Sequence, residues 1–505
     1  MVRPGPPFRA VLPLLLLGVG GALSGCREAP EPAAPARPLR IALPAEPAML
    51  DPHLQAESVA NSILSNLYEG LTAFDAEMGL APALAVGWES PDELTWVLRL
   101  RPGVTFHDGR PLTALDVLFS LQRARDHPES RVASHLVAVG SWRALGRQAV
   151  EIRTRRPYPI LLNKLALVMI VPAGAPAPIE EPVGTGPYRL AGRREGAIEL
   201  QPHGAHWRGP AVHPAVAIHL VPDPEQRVAG LLDGRFDLVK EVPPRLRQTV
   251  RASHVARLLG RDTLLVNYLQ LPADRPPFTD PRVREAIQVG LDRRALVEEL
   301  AGGLGSPAGQ MVGPNVFGFA PALLAPERDL ARARALLARA GIDRSGPIPM
   351  AYRAGRDVAP IVRQLAEIGL AVEARPVPWE RLYAALQSGE VDFYYGGFSC
   401  NSGDASDLFD GKVHRRDPLS GYGSTHSAGL STPALDELIE LAGTASEMPA
   451  RREMLERAMR ELMAENTLVP LFVPRVDYGV RRTLRWHPRL DGHVRAEEVG
   501  IAPPL

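Results

Sequence analysis

Apolar and polar positions change period several times along this chain. Residues 39–43 (LRIAL) read as a strand. Residues 94–100 (LTWVLRL) read as another, partly alternating as a sheet with one face toward water would. Helical periodicity follows later. Asp280 is placed to cap a helix that opens with Pro281 and repeats Val283, Ile287 and Leu291 at i, i+4 and i+8. Residues 329–340 predict a second helix, stopped by Gly341. A third begins at Thr432-Pro433, with Leu435, Leu438 and Ile439 on one face. Strands and helices interleave without a solenoid period, so the chain is α/β or α+β. Residues 228–239 (VAGLLDGRFDLV) and 382–394 (LYAALQSGEVDFY) share a layout: apolar helix, glycine (Gly234, Gly389), then an acid (Asp237, Asp392) just inside a strand. Ordinary turn chemistry accounts for such an echo, and so does one helix-to-strand unit used in each of two lobes.

The first forty residues follow a different logic. Arg3 and Arg9 make a basic start without an acid, and residues 11–22 form an apolar run too short for a comfortable mature membrane span. The run ends in Leu23-Ser24-Gly25-Cys26, which resembles the lipobox of bacterial lipoproteins. The resemblance implies a signal peptide over residues 1–25, cleavage before Cys26, and lipid attached to its thiol. Residues 26–38, rich in Pro, Ala and Glu, then form a lipidated tether. No second run of about 18 apolar residues follows, so nothing else is expected to cross a membrane.

Composition narrows the function classes. The 505 residues are too many for one compact core and suggest two or three lobes. Fifty-seven basic and 57 acidic residues balance, which removes the counterion-release argument for nucleic-acid binding. Lys164, Lys240 and Lys412 are the whole lysine complement, a bias read together with the 51 prolines as genome composition. Cys26 and Cys400 are the only cysteines, so a disulfide framework is excluded.

Several segments, in order, resemble the family 5 extracellular solute-binding proteins, the group of dipeptide, oligopeptide and nickel-complex receptors. They are residues 49–53 (MLDPH), 66–71 (NLYEGL), 98–120 (LRLRPGVTFHDGRPLTALDVLFS), 182–188 (PVGTGPY), 280–291 (DPRVREAIQVGL) and 336–341 (LLARAG). Their own chemistry reads as structural. Residues 106–109 (FHDG) suit a tight turn with Gly109 at positive φ, and Thr113 suits a helix N-cap. Residues 184–188 lack the Lys-Ser/Thr ending of a phosphate loop.

The resemblance implies an α/β, two-lobed periplasmic-binding-protein-like fold with a hinge, a large variant with an extra subdomain in the first lobe. The first lobe then covers residues 39–267, the second 268–473, and residues 474–505 return to the first lobe. It implies an extracytoplasmic, lipid-anchored receptor on a bacterial membrane that captures a peptide or similar small polar solute by hinge closure and serves an ABC importer permease. A monomer without cofactor, metal or catalytic residue is expected.

The expected ligand segment is residues 394–407 (YYGGFSCNSGDASD), where aromatics, glycines and small polar groups follow a strand. Tyr395, Phe398, Ser399, Asn401, Asp404 and Trp379 are its candidate ligand contacts. In peptide-binding relatives an aspartate of this region receives the α-amino group, and Asn401 stands at the matching place. An amide cannot neutralise an ammonium, so Asp404 is the alternative acceptor, and peptide, sugar and metal chelate remain open as ligands. Two other function classes compete. A lipid-anchored hydrolase would need a catalytic motif, and neither Gly-x-Ser-x-Gly nor His-Glu-x-x-His occurs. A binding module for a membrane sensor would use the same fold.

Overall fold

A computed structural model describes residues 37–502 except 56, 195, 342–345, 379–380, 383–384, 387–389, 392, 425–429 and 446. Cys26 and Trp379 lie outside the described residues, as do Gly389 and Asp392 of the echo.

Two sheets carry the architecture, and one long strand belongs to both. In the first lobe Leu39–Leu43 pairs in parallel with Val216–Leu220 and Leu238–Lys240. Antiparallel strands Ala197–Pro202 and Tyr188–Arg194 extend this sheet to one edge. In the second lobe Ile348–Arg353 lies parallel between Val372–Val377 and Tyr394–Ser399. Leu265–Gln270 runs antiparallel to Tyr394–Ser399.

The long strand Leu468–Arg481 stitches the two together. Its first part pairs with Leu265–Gln270, and its second part pairs with Ala256–Asp262 and Leu238–Lys240. The chain therefore passes between lobes at Thr263–Leu264 and again near Pro474. There Thr263 donates its backbone N–H (3.0 Å) and its hydroxyl (3.0 Å) to the Pro474 carbonyl. Two adjacent crossing segments at the boundary between two sheets make a hinge.

A separate antiparallel sheet, Ala85–Asp92, Thr95–Leu100, Ala149–Thr154 and Val139–Ala144, forms the subdomain of the first lobe. Helix Ala114–Asp126 covers it, burying Val117 and Leu121 against Leu98, Val150 and Ile152. Each such aliphatic side chain withdrawn from water contributes about 1.5–3 kcal/mol. The Asp116 carboxylate accepts from the Thr113 backbone N–H (2.8 Å) and hydroxyl (2.7 Å), starting the helix as a capping residue should.

The family-like motifs turn out to be knots. His107 accepts from the Gly184 N–H (3.2 Å) at Nδ1 and donates through Nε2 to the Gly186 carbonyl (3.1 Å). Gly184 and Gly186 press against the end of helix Ser58–Leu67. A Cβ on either would fall 2.0 Å and 2.5 Å from Leu67 backbone atoms. Three signatures far apart in sequence thus meet at one place, where only glycine fits.

The sequence-predicted helices form where their caps placed them. Asp280 accepts from Arg282 N–H (2.9 Å) ahead of Pro281–Gly290, and Asp329 from Arg332 N–H (2.9 Å) ahead of Leu330–Ala340. Gly341 takes the left-handed C-cap (φ 61°), and Thr432 caps Pro433–Thr444. Among the described residues no helix is long and apolar enough to cross a membrane.

Candidate functional site

Where the two crossing strands run side by side, the lobes enclose a cleft of about 430 Å³. The crossing supplies Thr263 to Leu265, Pro474 and Val476 as one wall. First-lobe segments around Pro52, Ser65, Met78, His135, Lys240 and Arg495 supply most of the rest, and the second lobe contributes Ser399 and Asn401. A smaller cavity of about 190 Å³ shares His135, Ser399 and Asn401 and continues past Phe398 toward Tyr158.

Of the residues expected to touch ligand, three sit at these cavities. Ser399 and Asn401 line both, with the Ser399 hydroxyl donating to Asn401 Oδ1 (2.7 Å), and Phe398 lines the smaller one. Tyr395 does not. Alternation along its strand turns Phe393 and Tyr395 into the second-lobe core and Tyr394 and Phe398 to the opposite face, so the Tyr395 ring is 3% exposed.

Asp404, the alternative ammonium acceptor, is also engaged elsewhere. Its oxygens receive both terminal nitrogens of Arg451 (2.7 and 2.9 Å), and one caps the Ser406 N–H (3.0 Å). A buried carboxylate already matched by a bidentate guanidinium has no charge left for a ligand. Cys400 is fully buried, donating to the Asp404 carbonyl (3.1 Å), and burial pushes its thiol well above the usual range.

The lobes also meet through ion pairs. Lys164 of the first lobe pairs with Asp407 of the second, and Arg156 with Asp410 (2.8 Å). The Arg156 guanidinium lies 3.7 Å from the Tyr422 ring and 4.8 Å from the Tyr158 ring, one from each lobe. Asn163 donates to the Ser402 carbonyl beside them (2.8 Å). Burial opposes the Lys164 charge, yet Asp407 more than restores it, so its pKa stands above the ordinary value.

Charges on the main cleft are mostly matched. Lys240 donates to Ser58 Oγ (3.1 Å) and the Gly492 carbonyl (2.8 Å), and burial lowers its pKa. Asp491 accepts from Arg489 (2.7 and 3.0 Å) and from the His493 N–H (2.9 Å). Burial drives His135 and His493 down to about 4, so both imidazoles are neutral at pH 7. Arg495 and Glu241 line the same cleft, and no side-chain hydrogen bond or ion pair joins either to another described residue.

His203 bonds the Thr105 carbonyl (3.2 Å) and His414 bonds Glu440 (3.0 Å), and the described residues contain no group of three or more His, Cys, Asp or Glu placed to hold a metal ion. Neither Glu241 nor Arg495 stands out in the sequence, because each carries its meaning in backbone shape or missing partners.

Comparison with known proteins agrees with this geometry. The sequence model of the bacterial extracellular solute-binding proteins, family 5 Middle, matches residues 79–417. The glutathione-binding protein GsiB of Pectobacterium atrosepticum is 27% identical over 378 residues, 70% of this chain and 73% of its own. The periplasmic binding protein AgaA of A. tumefaciens R10, solved with agropinic acid, superposes with a TM-score of 0.80 at 23% identity, over 93% of this chain and 99% of its own. The periplasmic binding protein DppA of Helicobacter pylori, solved with peptide STSA, gives 0.77 at 21% identity, over 92% and 98%. Both structures share the two-lobed α/β fold described above.

Proposed function

Because the chain belongs to the family 5 bacterial extracellular solute-binding proteins, we propose that it captures a peptide or similar small polar solute outside the cytoplasm and hands it to an ABC importer. The observation that carries this reading is the position of the cleft. It lies at the two-strand crossing and is lined by groups from both lobes, so a ligand touching both sides favours the closed arrangement over an open one. The names of relatives that bind glutathione and a peptide support a ligand of this class. Cys26 holds the receptor at the membrane through its lipid, with residues 27–38 as the tether.

Two readouts test the proposal. A bound solute present at 100 times its Kd raises folding stability by about 2.7 kcal/mol. Thermal unfolding that no peptide or comparable polar solute shifts counts against capture. The Cys26→Ser chain leaves the membrane fraction for the soluble extracytoplasmic fraction; its continued sedimentation with membranes counts against the lipid anchor.

A further inference from the structure

We propose that the ligand is a zwitterion whose two charges are both read by the first lobe, its carboxylate by Arg495 and its ammonium by Glu241. This rests on the solute-binding reading and names the chemistry of that site.

Charges withdrawn from bulk water in a folded protein are matched by partners, and the exceptions call for an explanation. Around this cleft Asp491, Lys164, Asp407, Arg156 and Asp410 are ion-paired, and buried Lys240 donates to a hydroxyl and a carbonyl. Arg495 is different. Its residue is only part-exposed, its Nε is wholly enclosed without a hydrogen-bond partner, and no carboxylate lies within ion-pair distance among the described residues. Burial, with the nearby Arg489 charge, lowers its pKa, and the more distant Asp491, Glu498 and Glu497 offset this only in part. A carboxylate fits its planar fork of donors better than any neutral group does. Arg131 and Glu241 are both exposed residues of the cleft, and what sets Glu241 apart is its backbone, which Arg131 does not share.

Glu241 is marked by its backbone. It holds φ at 62°, one of three non-glycine residues at positive φ among those described. Asn466 is another, and it merely ends helix Met448–Glu465. A glutamate has no reason of its own to sit in the left-handed region, which glycine occupies without strain. Here the bend is enforced. Arg227 donates to four carbonyls, Val221 (2.7 Å), Pro222 (2.8 Å), Lys240 (3.2 Å) and Glu241 (3.1 Å). Strain held in place by the surroundings at a cleft points to a side chain with a task there.

The opposite wall cannot take the ammonium. Asn401 is neutral, and Asp404 is spent on Arg451. That leaves Glu241 as the free carboxylate of the cleft among the described residues.

The test uses Ala-Ala and glutathione, each also N-acetylated and C-amidated, with maltose and succinate as neutral and dianionic probes. Thermal shift and calorimetry are the readouts. Blocking either end of the bound zwitterion is expected to weaken binding about 30-fold or more. Glu241→Gln binds the free and N-acetylated forms alike, and Arg495→Gln binds the free and amidated forms alike. Glu241→Gly separates function from folding: its ligand-free melting temperature equals or exceeds that of the native chain, while zwitterion binding is lost.

Equal binding of free and blocked forms by the native chain overturns the assignment. Stabilisation by maltose or succinate and not by a zwitterion also overturns it, while leaving solute capture standing. A chain that none of these probes stabilises, and from which no solute can be released, fails the solute-binding reading and this proposal with it.

Discussion

Asp51→Ala is expected to cost about 3–5 kcal/mol of folding stability, the penalty for leaving a buried guanidinium unpaired. Asp51 is fully buried and Arg123 is 8% exposed, and the two form a charge-assisted pair. The carboxylate also accepts from the His53 N–H (2.9 Å) and the Ile179 N–H (2.9 Å). Arg123 in turn donates to His53 Nδ1 (2.9 Å) and the Pro176 carbonyl (2.9 Å). With Nδ1 accepting, His53 carries its proton on Nε2 and gives it to the Met169 carbonyl (2.8 Å). Burial drives its pKa down to about 4, so the ring stays neutral and adds no competing charge.

One carboxylate thus ties the segment after the first strand to helix Ala114–Asp126 and to the loop at Ile179, which is the physical content of the MLDPH motif. Urea unfolding of the purified variant measures the loss. The double variant Asp51→Ala/Arg123→Met should recover part of it, because no unpaired charge then remains buried. A midpoint within experimental scatter of the native value would show that the pair does not organise this lobe.

Lys164→Met is expected to weaken solute affinity by at least about tenfold, or ~1.4 kcal/mol, while leaving each lobe folded. Lys164–Asp407 and Arg156–Asp410 join side chains from different lobes, so they contribute to the closed arrangement and are absent once the lobes separate. Low exposure keeps them from being screened as surface pairs are. Removing Lys164 leaves Asp407 buried on closure without its partner, a penalty met only in the closed state.

The pH limits follow by linkage. Asp407 is depressed below the ordinary carboxylate range: burial works against that, and Lys164 outweighs it. Its contribution is present above the ordinary carboxylate pKa and is lost as pH falls through the depressed value. Lys164 is raised, so its contribution is present at neutral pH and is lost only in strong base. Stopped-flow release of a bound solute reads the effect directly, as a faster off-rate in the variant. An unchanged off-rate would mean that these pairs do not hold the lobes together.

The contrast between these two sites and the sequence reading has a physical pattern. Signals carried by adjacent residues were legible. Asp280 before Pro281, Asp329 with Gly341, and Thr432 before Pro433 each encode a helix end within a few positions. The FHDG turn and the glycines at 184 and 186 could be read as structural even before their meeting point was known.

Long-range facts were not legible. Asp404 reads as a free acid in a polar loop, because its partner Arg451 lies 47 residues away on helix Met448–Glu465. Tyr395 looks like a stacking platform until strand pairing decides which face it presents. The long strand Leu468–Arg481 has nothing in its local pattern to announce that its halves serve different sheets. Glu241 and Arg495 were passed over for the same reason: a left-handed backbone on a glutamate and a missing counter-charge exist only in three dimensions.

The most direct test of the account is native mass spectrometry of the chain purified from its own extracytoplasmic compartment, followed by denaturing release and identification of any solute. The account predicts a stoichiometric small polar solute, released chemically unchanged and able to rebind the refolded protein. Isolation of a chain that instead converts added solutes to products, or that never retains or rebinds one, would contradict the assignment as a transport receptor.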